Sequence, residues 1–83
     1  MIRYRLKERI ADREFREGRH ITVSEIAKET GVNRTTLSKI GNQRGYNTTT
    51  DVLDRLCNYF QCGIEDLVEH IPEPGHTEDA QIE

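Results

Sequence analysis

Two short amphipathic segments separated only by Gly31-Val32-Asn33 constrain this chain more than any other feature of its sequence. In the first, Thr22 is placed as an N-cap, and Glu25 three residues on completes a capping box. Ile21 before the cap and Ile26 within the first turns can close a hydrophobic staple over it. A helix is expected from Val23 to Thr30, with Gly31 as the turn residue. In the second, Asn33 can accept from the amides of Thr35 or Thr36, which starts a helix running to about Ile40. Helices this short are marginal alone, so each must be held by packing against its neighbours.

Docking two such helices imposes steric demands at fixed positions. Where they cross, a small side chain is needed, and Ala27 supplies it. Four residues on, the turn needs positive φ, which Gly31 tolerates because it lacks a Cβ. Ile26, Val32, Leu37 and Ile40 must then point inward together. All six positions are filled as required, and the spacing is that of a helix-turn-helix.

The remaining chain reads as further helices around one small core. A first helix is expected from about Ile2 to Glu17, with Ile2, Leu6 and Ile10 on one face and Gly18 as its left-handed end. A Gly-, Asn- and Thr-rich loop spans Gly41 to Thr49. Leu53, Leu56, Cys57 and Phe60 then form one apolar stripe, and Ile64, Leu67, Val68 and Ile71 form another. Pro72 and Pro74 stop the last helix. The expected fold is all-α: a five-helix bundle over 1–71, followed by an acidic segment over 72–83 whose composition favours disorder.

The chain has 83 residues, 34% of them apolar and 6% aromatic, so a deep substrate pocket is not expected. No nucleophile–base pair, phosphate-cradling Gly motif or metal-ligand set is apparent, so neither an enzyme nor a cofactor or metal site is expected. Cys57 and Cys62 fall on apolar-periodic positions and read as buried thiols. Met1-Ile2-Arg3-Tyr4-Arg5 opens straight into a charged helical pattern, and no apolar run reaches membrane length. A reduced, cytoplasmic setting without a membrane partner is expected.

The formal net charge of −3 argues against a nucleic-acid partner until its distribution is considered. Residues 1–44 carry eleven of the twelve Lys and Arg against six acids. Between Glu29 and Asp51 there is no acid, while Arg34, Lys39 and Arg44 all fall there. A local basic surface on an acidic chain suffices for phosphate neutralisation and counterion release.

The stretch from Thr22 to Phe60, and more loosely from Leu6 to Val68, resembles the phage-repressor (Cro-like, xenobiotic-response-element) helix-turn-helix family. The resemblance implies a five-helix bundle whose third helix enters the major groove of double-stranded DNA while the preceding helix lies across the backbone. Val23 stands where many members carry a phosphate-contacting Gln. Gly41 replaces a commonly acidic or polar residue.

With Leu37 and Ile40 inward, Arg34, Thr35, Ser38 and Lys39 are left outward as candidates for base edges. Arg34 is the most informative, because a cation in the first turn opposes the helix dipole by about 0.3–1 kcal/mol yet can reach a guanine edge bidentately. Backbone contacts are expected from Asn33, Thr36, Asn42, Arg44 and Tyr46, and from the helix start at Val23 and Ser24. Asn42 can equally cap its own helix, and Tyr46 can pack the loop onto the bundle.

A transcriptional regulator reading the major groove with residues 34–40 is the leading expectation, with repression by steric blocking the default. The alternative is the antitoxin half of a toxin–antitoxin pair, binding a small basic protein through the acidic segment. Tyr4, Ala11 and Phe15 give the first helix a second apolar face, used either against the last helix or in a homodimer on palindromic half-sites.

Overall fold

Ile26, Leu37, Leu56 and Leu67 are the largest side chains lost entirely from solvent, and they come from four different helices. The computed structural model describes residues 1–72. Its elements run β1 (Ile2–Tyr4), α1 (Leu6–Glu17), α2 (Val23–Thr30), α3 (Arg34–Asn42), α4 (Thr50–Phe60), α5 (Ile64–Leu67) and β2 (Val68–His70). Leu6, Ile21, Val32, Ile40 and Phe60 complete one core, which α1 to α5 enclose. The helical bundle expected from the sequence is therefore present. The acidic segment expected from Pro72 onward lies, past residue 72, outside the described residues.

The turn between α2 and α3 has the geometry its sequence demands. Gly31 adopts φ 78°, and its amide donates to the Ala27 carbonyl at 2.8 Å. The Thr30 hydroxyl donates to the Ile26 carbonyl at 2.7 Å and accepts from the Val32 amide at 3.1 Å. Ile26, Val32, Leu37 and Ile40 are all buried. From α4, the Arg55 guanidinium donates to the Thr30 carbonyl at 3.0 Å while Asp51 holds it at 3.0 Å. That carbonyl is one of the orphan acceptors at the end of α2, and Arg55 satisfies it. A Cβ on Gly31 would sit 2.9 Å from the same guanidinium.

At the start of α2, half of the expected capping box forms. Thr22 accepts from the Glu25 amide at 3.1 Å, but the Glu25 carboxylate turns to Arg19, at 2.9 and 2.7 Å. A guanidinium fork offers the carboxylate two bonds from a cationic donor where the N-cap amide offers one from a neutral donor.

Both ends of the bundle differ from expectation. Residues 2–4 do not continue α1; they pair antiparallel with 68–70, in the register Ile2↔His70, Arg3↔Glu69, Tyr4↔Val68. The last helix accordingly stops at Leu67 rather than reaching Ile71. Ile2 and Tyr4 also satisfy the alternation of a strand, and β-branched Val68 suits one. Pairing gives both short segments backbone partners, with the ladder extended by Arg5 N to Leu67 O at 2.7 Å and Ile71 N to Met1 O at 2.8 Å. Arg3 and Glu69, directly opposite, form an ion pair at 3.2 Å.

The expected second face of the first helix is not packed inside. Tyr4 belongs to β1, Ala11 is exposed, and Phe15 is 89% exposed, so packing against the last helix is ruled out for both. The third helix runs two residues further than expected, through Gly41 to Asn42. Cys57 and Cys62 are free and half-buried against the core rather than fully enclosed.

The positive φ at Gly31 makes a direct prediction. Gly31→Ala forces a Cβ into the left-handed region and against Arg55, at a cost of about 1–2 kcal/mol. That lowers Tm by about 4–8 °C for each kcal/mol in a domain of this size. A thermal melt followed by circular dichroism checks it, and an unchanged Tm removes the turn as the controlling constraint.

Candidate nucleic-acid interface

The start of α3 is fixed by Asn33, whose Oδ1 accepts from the Thr35 amide at 2.7 Å. With Leu37 and Ile40 turned inward, Arg34, Thr35, Ser38 and Lys39 are exposed, as expected. The first turns of α1, α2, α4 and α5 each carry an acid, namely Glu8, Glu25, Asp51, and Glu65 with Asp66. Among the described helices only α3 has no acid there, and it opens on Arg34. The positive end of its dipole is therefore reinforced by a cation instead of neutralised.

The beginnings of α2 and α3 converge on one open groove of about 610 Å³. Thr22, Val23 and Ser24 line it from one side, and Asn33, Arg34, Thr35 and Ser38 from the other. Three of the four base-edge candidates thus share a concave surface with three of the backbone candidates. Val23 is 38% exposed there, an apolar side chain at a helix start whose amide faces outward from the ladder.

The other candidates divide. Lys39 lies at the far end of α3, with its Nζ 5.9 Å from the centre of the Tyr46 ring. Tyr46 is half-buried against the core, and its carbonyl accepts from the Tyr4 hydroxyl at 2.8 Å. Asn42 donates its side-chain amide to the Ser38 carbonyl at 3.0 Å and so closes the end of its own helix. Thr36 is only partly exposed, whereas Arg44 is exposed. A residue the sequence reading missed joins this end. Lys7 of α1 lies across Gly41, its Cε 3.7 Å from where a Cβ would stand, and lines one cleft with Arg44. No pattern along the chain signals this, because the approach of α1 to α3 is made by tertiary packing.

The ion pairs sort the cations into two sets. Arg3 and Arg5 hold Glu69 and Glu8, Arg9 holds Asp12, and Arg13 and Arg19 hold Glu17, with Arg19 also gripping Glu25. Arg13 additionally stacks 4.3 Å from the Tyr59 ring and donates to the Tyr59 carbonyl. Lys7, Arg34, Lys39 and Arg44 have no acidic partner among the described residues. The acids of the N-terminal half are thus largely engaged elsewhere; Arg16 of α1 and Lys28 of α2 also have no ion pair among the described residues, and the other four such cations lie along α3 and its flanks. Such a distribution attracts a polyanion despite the net negative charge.

A helix docked across the start of a second one, with cations and hydroxyls on the outward face of the second, defines a helix-turn-helix DNA-binding module. The match to the Cro/C1-type HTH DNA-binding domain covers residues 5–73, and the chain belongs to that family. It is accordingly a DNA-binding transcription regulator. No curated protein matches the chain. No described helix is long and apolar enough to cross a membrane.

The charge sorting is itself testable. Hydrogen bonding from Arg19 holds the Glu25 carboxyl below its ordinary value of 4.5, and Arg13, followed by Arg19, does the same for Glu17. For a carboxyl lowered on folding, the associated stability is present above the unfolded value and lost as pH falls through the folded one. Both carboxylates remain in contact with solvent, so the effect on stability is small. In Arg19→Ala, the NMR titration midpoint of Glu25 should move up towards 4.5. A midpoint that stays put would mean that Arg19 does not engage Glu25 in solution.

Proposed function

We propose that α3 reads base edges in the major groove, with Arg34 as the principal specificity contact and Thr35, Ser38 and Lys39 alongside it. Asn33, Thr36, Arg44 and Lys7, with the Val23 and Ser24 backbone at the start of α2, then hold phosphates on either side. Asn42 and Tyr46 act on the backbone indirectly, by shaping the end of α3 and the loop after it. The observation carrying this reading is the open groove at the starts of α2 and α3, where Arg34 reinforces a helix dipole that acids temper in the other described helices. Repression follows as the mode of action, because a bound module of this size obstructs a promoter physically. Such action places the protein in the cytoplasm with the DNA.

Phe15 supports pairing of two copies. Its 89% exposure on α1 is costly for an isolated aromatic side chain, and two modules on adjacent half-sites double the DNA contact of one. The antitoxin alternative depends on residues beyond 72 and has no support of this kind.

Selection of bound duplexes from a random DNA pool at fixed salt should give an enriched motif. Arg34→Ala should lose about 1–3 kcal/mol of binding, roughly five- to 150-fold, and relax preference at one base position. Arg44→Ala and Lys7→Ala should weaken all sequences alike and flatten the salt dependence by about one ion each. If Arg34→Ala retains the parent's motif and affinity, the assignment of α3 as reader fails.

A further inference from the structure

The corner between α4 and α5 holds the two cysteines of the chain in a specific backbone motif. Gln61 takes the left-handed conformation at φ 54°, a region that a residue with a Cβ enters only under local constraint. Its amide donates to the Asn58 carbonyl at 3.3 Å, and the Cys62 amide donates to the Cys57 carbonyl at 3.1 Å. These are the two reversed bonds of a Schellman motif, a geometry that brings the side chains of the residues at its outer positions into contact. Those residues are Cys57 and Cys62. In most proteins an apolar pair occupies them; here it is a pair of thiols.

We propose that Cys57 and Cys62 form a reversible intramolecular disulfide on exposure to a hydroperoxide, making the α4–α5 corner a redox modification site. Both residues are half-buried and free, so an oxidant of small size reaches them while a second protein chain is hindered. Burial, and secondarily the neighbouring Cys62, pushes the Cys57 thiol up, which disfavours Cys57 as the attacking thiolate. The Cys62 thiolate attacks a peroxide oxygen, the O–O bond breaks, and the alcohol leaves with the thiol's proton. The sulfenic acid formed at Cys62 is then attacked by the Cys57 sulfur; the S–S bond forms and water departs. Two thiols are oxidised by two electrons, and one hydroperoxide is reduced to an alcohol and water. The backbone bonds already hold the two sulfurs' chain positions together, so closure requires little movement of α4.

The test uses the full chain treated with tert-butyl hydroperoxide. The oxidised monomer is expected to be lighter by the mass of two hydrogens, with both thiols lost to titration and both restored by dithiothreitol. It should also melt higher than the reduced protein, because closing the loop restricts the unfolded chain. Cys57→Ser and Cys62→Ser should each lose the mass change while folding normally. Covalent dimers in place of the lighter monomer, retention of both thiols at a dose that oxidises free cysteine, or a lower Tm in the oxidised form would each overturn the proposal.

Discussion

The placement of every candidate contact depends on the end of α2. A helix of eight residues leaves orphan carbonyls at its last turn, and here the Gly31 amide, the Thr30 hydroxyl and the Arg55 guanidinium all converge on that turn. Gly31 redirects the chain, and Arg55 ties the redirected corner to α4. Because Leu37 and Ile40 are buried in the same core as Ile26 and Leu56, α3 cannot rotate without opening the interior. The orientation of Arg34, Thr35 and Ser38 is therefore a consequence of apolar packing behind them rather than of any contact among the three.

Charge is arranged with comparable economy. An acidic chain that must approach a polyanion could carry a large basic excess; this one instead matches its acids to a subset of its arginines. Arg19 is central to that matching, since it bridges Glu17 on α1 and Glu25 on α2. The pairs are exposed and individually weak, so their role is less to stabilise the fold than to decide which cations face outward unopposed. Arg34 and its neighbours on α3 remain available because Glu25 and Asp51, acids on either side of them in the sequence, are held by Arg19 and Arg55.

Much of this was legible in the residues alone. The cap at Thr22, the turn at Gly31 and the inward set Ile26, Val32, Leu37 and Ile40 depend on local rules, and local rules can be read from spacing. The ribbon could not be read in this way. Ile2, Leu6 and Ile10 fit a helical face, and what assigns Ile2 to a strand is its partner His70, far along the chain in Val68–His70. The same holds for Lys7 beside Gly41 and for Arg55 on Thr30, which are products of how helices pack. At Phe15 the periodicity left internal packing and pairing both open, and among the described residues no element lies over that side of α1, which removes the first.

The ribbon also has a topological effect. By pairing residues 2–4 with 68–70, it fastens the beginning of the domain to its end and turns an open string of helices into a closed loop. Fraying from either terminus is thereby coupled, since neither strand can detach without exposing the other's backbone. Polypeptide fused before Met1 and polypeptide continuing past residue 71 leave from the same edge of the molecule. Partners attached at the two ends would accordingly be neighbours, on a margin set by β1 and β2 and not by the helices that face the groove.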